Sequence, residues 1–404
     1  MLILTTAYKR EFILRVVIML LISISIFAQS QSDFSRWLSE HIESLKEDYP
    51  REFLNKTFDG VKYNPDIIKY DRRQPEFVRS MGEYLRLYLK EDRIIRARDQ
   101  YQNLRPLLNS IQRDHKVEGK YLVSFWALET DLSRHTGKID LVEALCTLSF
   151  DGRRSSFFKR ELNELLKILY NEKIVYPDSR ILGSWAGAMG STQFMPSNIN
   201  AYAIDYDRDG RINMWSNTSD FLGSSANFLK QVGYRNNELW AVEVELDQDF
   251  DYDLSGLYHK KSVSFWLRNG VKFKQDVSIR EQVSSIYIPQ GINGPKFLVL
   301  NNFFRTYRWN NSSKYALAIG IMSDLISGRA DYFDSFNLEE ETFLTFDLSK
   351  DIQRKLNELG FNVGKVDGII GPKTFRGLQM FQKSLGLIAD GYLSKELAQT
   401  LLNY

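Results

Sequence analysis

The 404-residue sequence has a single cysteine, Cys146, which excludes an intrachain disulfide and a cysteine metal cluster. Cys146 ends the apolar run 141–146, so we predict a core residue. The four histidines are scattered and show no ligand spacing. The formal net charge is only +2, and the basic stretch 93–98 is flanked by acids, as on a solvated helix face. Composition therefore argues against nucleic-acid binding.

The first 30 residues have the layout of an export signal. Lys9, Arg10 and Arg15 precede the apolar run 16–28, after which the sequence becomes polar. This order is typical of a secretory signal peptide, which we predict over residues 1–30. A retained membrane anchor stays open, because the residues before Arg15 would lengthen the short apolar run. In both cases the folded part is expected outside the cytoplasm.

The spacing of apolar residues predicts a mainly α protein. From about residue 33 to 240 they recur mostly three or four positions apart, most clearly over 157–170. Residues 241–246 instead alternate apolar and polar side chains, and two short apolar runs follow before residue 300. Helical spacing returns over 315–326. We therefore expect a helical domain that carries a small β subdomain.

The C-terminal part contains an internal repeat, which follows an acidic, aromatic linker predicted over residues 327–346. Three dipeptides recur: Ile352-Gln353, Gly360-Phe361 and Asp367-Gly368 return as Leu378-Gln379, Gly386-Leu387 and Asp390-Gly391. Each copy predicts a short amphipathic helix followed by turns. Because neither copy could bury a core alone, the two should pack into one small domain over 347–404.

Glu129 is the first candidate catalytic residue. It follows the almost uninterrupted apolar run 121–128, which predicts a buried helix. Burial disfavours the charged form of a carboxyl group and raises its pKa, as a general acid near neutral pH requires. A solvated glutamate at a helix terminus is the structural alternative on these residues alone.

The glycine-rich stretch 183–196 is the second candidate. Its three glycines and two alanines allow the backbone to approach a ligand closely. Ser184 and Gln193 add hydrogen-bonding groups, and Met189 and Phe194 add apolar walls. A tight crossing of two helices, which also favours small residues, stays open.

Together these segments resemble the membrane-bound lytic murein transglycosylase B family. The resemblance covers about residues 33–326. It rests on Glu129-Thr130, on residues 144–150 with Arg153-Arg154, on residues 183–196, and on the late stretch 307–312 with Tyr315. It implies a lysozyme-like helical catalytic domain, bounded here as 31–326, with Glu129 as its one catalytic carboxylate. The substrate-binding residues that it implies are Ser184, Met189, Gln193, Phe194, Phe228, Trp309, Asn310 and Tyr315. The chain departs from the family at Phe228 and Trp309, often tyrosine, and at Ser133, often glycine.

The activity that the resemblance implies is cleavage of peptidoglycan glycan strands without water. Most glycosidases need two carboxylates, and Asp131 does not share a helix face with Glu129. Instead, Glu129 would protonate the glycosidic oxygen between N-acetylmuramic acid and N-acetylglucosamine, and then accept the proton of the muramic acid 6-hydroxyl. A 1,6-anhydro end results. No cofactor is expected for this chemistry, and the expected place is the periplasm, at the cell wall. A hydrolytic muramidase on the same fold and a non-catalytic wall-binding scaffold are the alternatives.

The stretch beginning at Asp205 fits the start of an EF-hand calcium loop, with acids at alternate positions followed by a glycine. Ser216 departs from the pattern, because a bidentate glutamate is expected there. The family resemblance implies a longer loop closed by a later acid, in which Ca²⁺ would stiffen the loop. The implied ligands are Asp205, Asp207, Asp209, the Arg211 carbonyl and Asp220. An aspartate-rich turn without an ion is an equal alternative.

The C-terminal repeat resembles the three-helix peptidoglycan-binding domain attached to many cell-wall hydrolases. Residues 367–374 and Phe381-Gln382 carry the match, whereas Ser394 departs from it where Gly371 suggests a glycine. The resemblance implies tethering to the wall, which raises the local substrate concentration. A structural cap or a partner-binding module is the alternative.

Overall fold

The computed structural model describes residues 30–72, 79–151, 154–329 and 331–404. The predicted signal peptide lies outside the described residues except for its last position. Among the helices that are described, none combines the length and the apolar character that crossing a bilayer requires.

The chain forms two compact units, of which the first combines Met1–Asp71 with Thr136–Ala201. The helices that lie in it or end at its borders are 30–44, Arg51–Phe58, Pro65–Arg72, Leu141–Phe150, Ser155–Tyr170 and Pro196–Tyr202. Cys146 is buried in the helix Leu141–Phe150, as predicted for a core cysteine. Two short antiparallel strands, Ile139–Asp140 and Leu182–Gly183, place the start of the glycine-rich stretch beside the start of that helix.

The second unit combines Arg72–His135 with Tyr202–Tyr404, and its helical part contains a buried helix, Gly119–Thr130, which we call the glutamate helix. The other helices of this part are Met81–Tyr88, Glu91–Asn103, Arg105–His115, Thr218–Gln231, Asn301–Asn310 and Ser313–Ser327. The last of these, which we call the tyrosine helix, packs along the glutamate helix. Apolar residues lie all round the glutamate helix rather than on one stripe, which is why it is enclosed by neighbours.

The β subdomain of the second unit is a five-stranded antiparallel sheet. Its strands lie in the order Lys261–Ser262, Val283–Tyr287, Phe297–Val299, Ala241–Leu246 and Val271–Phe273. The short helix Val263–Arg268 buries Trp266 in a core shared with Val244 and Ile286. The strand predicted from the alternation over 241–246 is confirmed, because Ala241–Leu246 is a strand of this sheet.

Short 3₁₀ turns span Tyr252–Leu254 and Asp331–Ser335.

The C-terminal module consists of the three helices Phe346–Glu358, Pro372–Ser384 and Lys395–Asn403. One apolar core, which includes Ile352 and Phe381, is shared by the three helices. The expectation that the two repeat copies pack around a common core is therefore met.

A glutamine amide joins the Asp-Gly turn in each copy of the repeat: its N–H donates to the aspartate, and its oxygen accepts from the glycine N–H. Gln353 does this at 2.9 and 2.8 Å, and Gln382 does it at 2.7 and 2.7 Å. The predicted repeat pairs Gln353 with Gln379 instead. In the structure the counterpart of Gln353 is Gln382, three residues later. Gln379 instead donates to the carbonyl groups of Tyr252 and Ala389.

The stretch 327–346, predicted as a linker, is fastened to the second unit by hydrogen bonds. Thr342 Oγ1 accepts from the N–H of Ser80 at 2.8 Å, and Glu340 Oε2 accepts from the N–H of Gly82 at 2.9 Å. Polar side chains of this stretch therefore accept hydrogen bonds from backbone N–H groups at the start of the helix Met81–Tyr88. The bounds of the linker and of the two domains stay predictions.

Candidate active site

Glu129 lies in the last turn of the glutamate helix and is the one residue of that helix that is not buried. The helix ends at Thr130, because Asp131 adopts the left-handed conformation with φ 51° and ψ 49°. The carboxyl group therefore lies at the border of an apolar interior, as the run 121–128 predicted. Such a place suits a proton donor that must still reach a ligand.

Tyr315 donates a hydrogen bond from its hydroxyl to Glu129 Oε1. It lies in the first turn of the tyrosine helix, where Ser312 caps the helix by accepting from the N–H of Tyr315 at 3.3 Å. Burial raises the pKa of Tyr315 well above its ordinary value, and the charge of Glu129 raises it further. Tyr315 is therefore a neutral donor at physiological pH, and two residues implied by the resemblance lie in contact.

Trp309 belongs to an aromatic group beside this pair. Its ring centroid lies 4.3 Å from that of Phe125 and 4.9 Å from that of Phe228. Phe228 is only 5% exposed, so it supports the Trp309 ring and has almost no surface for a sugar. Trp309 is partly exposed and Asn310 is exposed, and the predicted substrate contacts of these two residues and of Phe228 stay predictions.

The glycine-rich stretch 183–196 forms a tight loop in the first unit rather than a crossing of two helices. The N–H of Ser184 donates to the carbonyl of Ala188 at 2.8 Å, and the N–H of Ala188 donates to Ser184 Oγ at 3.0 Å. A Cβ on Gly137, whose φ is +98°, would lie 2.0 Å from the carbonyl carbon of Gly183. Close backbone approach is thus the reason for glycine here.

Met189, Gln193 and Phe194 stabilise this loop from within. Met189 and Phe194 exchange two backbone hydrogen bonds of 2.9 Å, and they are 0% and 1% exposed. Both side chains pack inside the loop, and their predicted substrate contacts stay predictions. The Gln193 amide nitrogen donates to the carbonyls of Thr136 at 3.1 Å and Gly190 at 2.9 Å, so a sugar would meet its Oε1.

The sequence did not predict a cluster of ion pairs around Asp131, two residues after Glu129. Asp131 pairs with Arg93 at 3.0 Å and with Arg96 at 2.6 Å. Burial acts to raise the pKa of Asp131, but the hydrogen bonds from Arg96 and Arg93 outweigh it and the pKa is lowered. The prediction of a solvated face over 93–98 is therefore wrong for these two arginines. Their three-residue spacing, which places them on one helix face, was the available signal.

The predicted calcium loop brings three of its acids together. One oxygen from each of three carboxylates lies within 4.8 Å of the others, in Asp205, Asp207 and Asp209. Asp220 is fully buried, and its two oxygens accept from the N–H groups of Tyr206 at 2.9 Å and Asn213 at 2.8 Å. Asp220 therefore closes the loop through backbone hydrogen bonds.

Known protein families match both parts of the chain. The family described as transglycosylase SLT domain matches residues 33–324, which is well over half of the chain. The chain belongs to this family of lytic transglycosylases. A putative peptidoglycan binding domain matches residues 347–401. The predicted family, its lysozyme-like and mainly helical fold, and the C-terminal module are thereby confirmed.

Three relatives of this chain are informative. Membrane-bound lytic murein transglycosylase B of Escherichia coli (strain K12) is 32% identical over 213 residues, 52% of this chain and only 58% of the relative. SltB3 from Pseudomonas aeruginosa, solved in complex with NAG-anhNAM-pentapeptide, is 34% identical with a TM-score of 0.84, covering 91% of this chain and 99% of that chain. The Escherichia coli lytic transglycosylase Slt35 in complex with calcium is 25% identical with a TM-score of 0.62, covering 74% of this chain and 94% of that chain.

The predicted site residues belong to different units of the chain. Glu129, Tyr315 and Trp309 belong to the second unit, and Ser184 and Gln193 belong to the first. The predicted hydrogen bond of Ser184 close to Glu129 and the predicted sugar contact of Gln193 stay predictions.

Proposed function

We propose that this chain cleaves the β-1,4 bond between N-acetylmuramic acid and N-acetylglucosamine in peptidoglycan without water. Glu129 acts first as the general acid and then as the base. The observation that carries the proposal is the hydrogen bond from neutral Tyr315 to Glu129 Oε1 at the end of an apolar helix. Tyr315 orients the carboxyl group and stabilises its charged form after proton transfer.

The proton of Glu129 passes to the glycosidic oxygen, and the bond from that oxygen to the anomeric carbon of the muramic acid breaks. The N-acetyl group of the substrate stabilises the cation. The Glu129 carboxylate then takes the proton of the muramic acid 6-hydroxyl, whose oxygen bonds to the anomeric carbon. Atoms balance without water, and Glu129 recovers its proton. Asp131 does not act as a second catalytic carboxylate, because its carboxylate is engaged in ion pairs with Arg93 and Arg96.

The solved complex of the relative SltB3 supports this assignment, because its ligand is NAG-anhNAM-pentapeptide. A peptidoglycan fragment with an anhydro sugar is the kind of product that the proposed reaction leaves. Ser184, Gln193 through its Oε1, Trp309 and Asn310 are the residues that we assign to binding of the glycan.

Product mass tests the proposal directly. Purified peptidoglycan is incubated with the full chain, and the soluble fragments are analysed by mass spectrometry. A lytic transglycosylase releases anhydro ends, which are lighter by one water than the reducing ends that a hydrolytic muramidase leaves. A non-catalytic wall-binding scaffold binds the same peptidoglycan and releases nothing.

We infer that the chain acts in the periplasm, at the cell wall. The relative that is named membrane-bound and the predicted signal support export. If the signal is not cleaved, it would anchor the chain in the inner membrane, with the folded part still in the periplasm. The C-terminal module would hold the enzyme on its polymer and raise the local substrate concentration.

Tyr315→Phe is expected to lower kcat by roughly 10- to 100-fold, because a hydrogen bond to a charged group contributes about 1.5–3 kcal/mol. The phenylalanine ring keeps the packing and loses only the hydroxyl. Release of soluble fragments at saturating peptidoglycan measures the effect. Tyr234→Phe is the matched control, because Tyr234 bonds Glu118 at the opposite end of the glutamate helix. Equal losses in the two variants would contradict the role of Tyr315.

We also propose that the acidic loop holds a structural Ca²⁺, as supported by the calcium complex of Slt35. The ligands are Asp205, Asp207, Asp209 and Asp220 with the carbonyl of Arg211. The donor set fits, because three carboxylates converge and hard oxygen ligands suit Ca²⁺. Burial raises the pKa of Asp220, and the charges of Asp207 and Asp205 act in the same direction. A cation would offset that repulsion.

Adding Ca²⁺ to metal-free protein is expected to raise its melting temperature by several degrees, because a ligand at 100 times its Kd stabilises by about 2.7 kcal/mol. Since the pKa of Asp220 is raised on folding, its contribution to stability is complete at acidic pH and is lost as the pH rises through that pKa. Calcium should therefore stabilise less as the pH falls through the pKa of Asp220, where the protonated carboxyl group no longer binds a cation.

Asp207→Asn should abolish most of this calcium response, and Asp249→Asn, an exposed acid outside the loop, should leave it intact. A melting temperature that does not change with Ca²⁺ would show that the loop is a turn without an ion.

A further inference from the structure

The three residues directly after the glutamate helix all adopt the left-handed backbone conformation. The φ angles of Asp131, Leu132 and Ser133 are 51°, 61° and 68°. The other left-handed non-glycine residues in the described part of the chain occur singly. A side chain makes this conformation unfavourable, so each of the three residues costs free energy that glycine would not. Interactions elsewhere must therefore hold the turn, which begins two residues after Glu129.

Some of these interactions are local. The N–H of Ser133 donates to Thr130 Oγ1 at 2.9 Å, and the Ser133 hydroxyl accepts from the indole N–H of Trp126 at 2.7 Å. The hydrogen bonds of Ser133 offset part of the strain that its own Cβ introduces.

The charged interactions come from another helix. Asp131, with only 10% of its side chain exposed, pairs with Arg93 and Arg96 at 3.0 and 2.6 Å. Both arginines belong to the helix Glu91–Asn103, and Arg93 is itself oriented by donating to the carbonyl of Tyr88 at 2.8 Å. Arg134 adds a weaker pair with Asp131 at 3.5 Å. Asp131 is more buried than the arginines that pair with it, so breaking these pairs would leave its charge poorly compensated. The contacts therefore resist a change of the turn.

We propose that Asp131 is a positioning residue for Glu129. Its ion pairs with Arg93 and Arg96 hold the left-handed turn, and the turn fixes the last helical residues so that Glu129 stays at the hydroxyl of Tyr315. The inference rests on the proposed function, because that function assigns the proton transfers to Glu129.

Asp131→Asn tests the proposal in the full-length chain. Asparagine has the same shape and tolerates the left-handed conformation, but it loses the charge. The expected result is a kcat lower by about 10- to 30-fold with KM within about twofold, because small misplacement of a reacting group is costly. Asp92→Asn is the matched control: it removes the other carboxylate paired with Arg96, at 2.7 Å, and should leave kcat unchanged.

A second substitution separates positioning from general stability. In the double variant Asp131→Asn/Ser133→Gly, glycine takes the left-handed conformation without strain, so the turn depends less on the ion pairs. The kcat of the double variant should be at least about threefold higher than that of Asp131→Asn. If Asp131→Asn does not fold, Arg96→Met removes one ion pair, keeps Arg93, and should lower kcat about threefold with KM unchanged.

Three results would overturn the proposal: an Asp131→Asn kcat like that of the wild type, a loss confined to KM, or no recovery in the double variant. The wild-type assay distinguishes this failure from failure of the proposed function. An inactive wild-type chain would overturn both, whereas an active wild type with a fully active Asp131→Asn variant would overturn the positioning role alone.

Discussion

Glu129→Gln should reduce the release of soluble fragments from peptidoglycan by at least about 10³-fold, because general acid–base catalysis contributes roughly 10²–10⁴-fold and one group here performs both transfers. An amide neither donates a proton to the glycosidic oxygen nor accepts one from the 6-hydroxyl. Its carbonyl oxygen can still accept the hydrogen bond of Tyr315, so the fold and glycan binding should survive. Fragment release and co-sedimentation with insoluble peptidoglycan measure the two properties on the same sample.

Glu118→Gln provides the matched control for this variant. Glu118 precedes the first turn of the same helix and accepts a hydrogen bond from Tyr234, so the chemical change and its tyrosine partner are alike. Activity of this control should stay within about threefold of the wild type, as expected away from the reacting atoms. Turnover retained by Glu129→Gln would remove Glu129 from the mechanism and favour another acid.

Local patterns in the sequence were sufficient to predict the main elements. The run 121–128 has no polar face, and a helix without one must be buried. Alternation over 241–246 predicted a strand, yet the strand buries Glu243 as well as Val242 and Val244, because Lys274 pairs with Glu243 at 2.8 Å. That pair depends on which strands are neighbours, which the alternation does not encode.

Contacts between distant segments could not be derived from spacing. Glu129 and Tyr315 lie 186 residues apart, and only the family resemblance placed them in one site. Arg93 and Arg96 looked like surface charges, because the acid that pairs with them follows a different helix. Met189 and Phe194 were expected as walls of a groove, since an apolar side chain in a glycine-rich loop fits either a wall or a core. Both side chains are buried in the loop, a packing that the spacing of the sequence does not specify.

Gly137→Ala should lower the free energy of unfolding by about 2–5 kcal/mol, because a left-handed residue with a Cβ costs roughly 1–2 kcal/mol and overpacking roughly 1–3 kcal/mol. The new methyl group would lie 2.0 Å from the Gly183 carbonyl carbon and 2.6 Å from the Ser184 nitrogen. Both neighbours are backbone atoms, so no side-chain rotation relieves the collision. Urea unfolding followed by circular dichroism measures the loss.

Gly60→Ala separates the two contributions within the same unit. Gly60 has φ +70°, and the nearest atom to its added Cβ is a side-chain nitrogen of Arg180 at 3.8 Å, so only the conformational cost of about 1–2 kcal/mol applies. The further loss in Gly137→Ala then measures how tightly the backbone around Gly183 is packed. If the two variants were equally stable, the close approach at the start of the glycine-rich loop would not be a property of the folded protein, and glycine there would serve conformation alone.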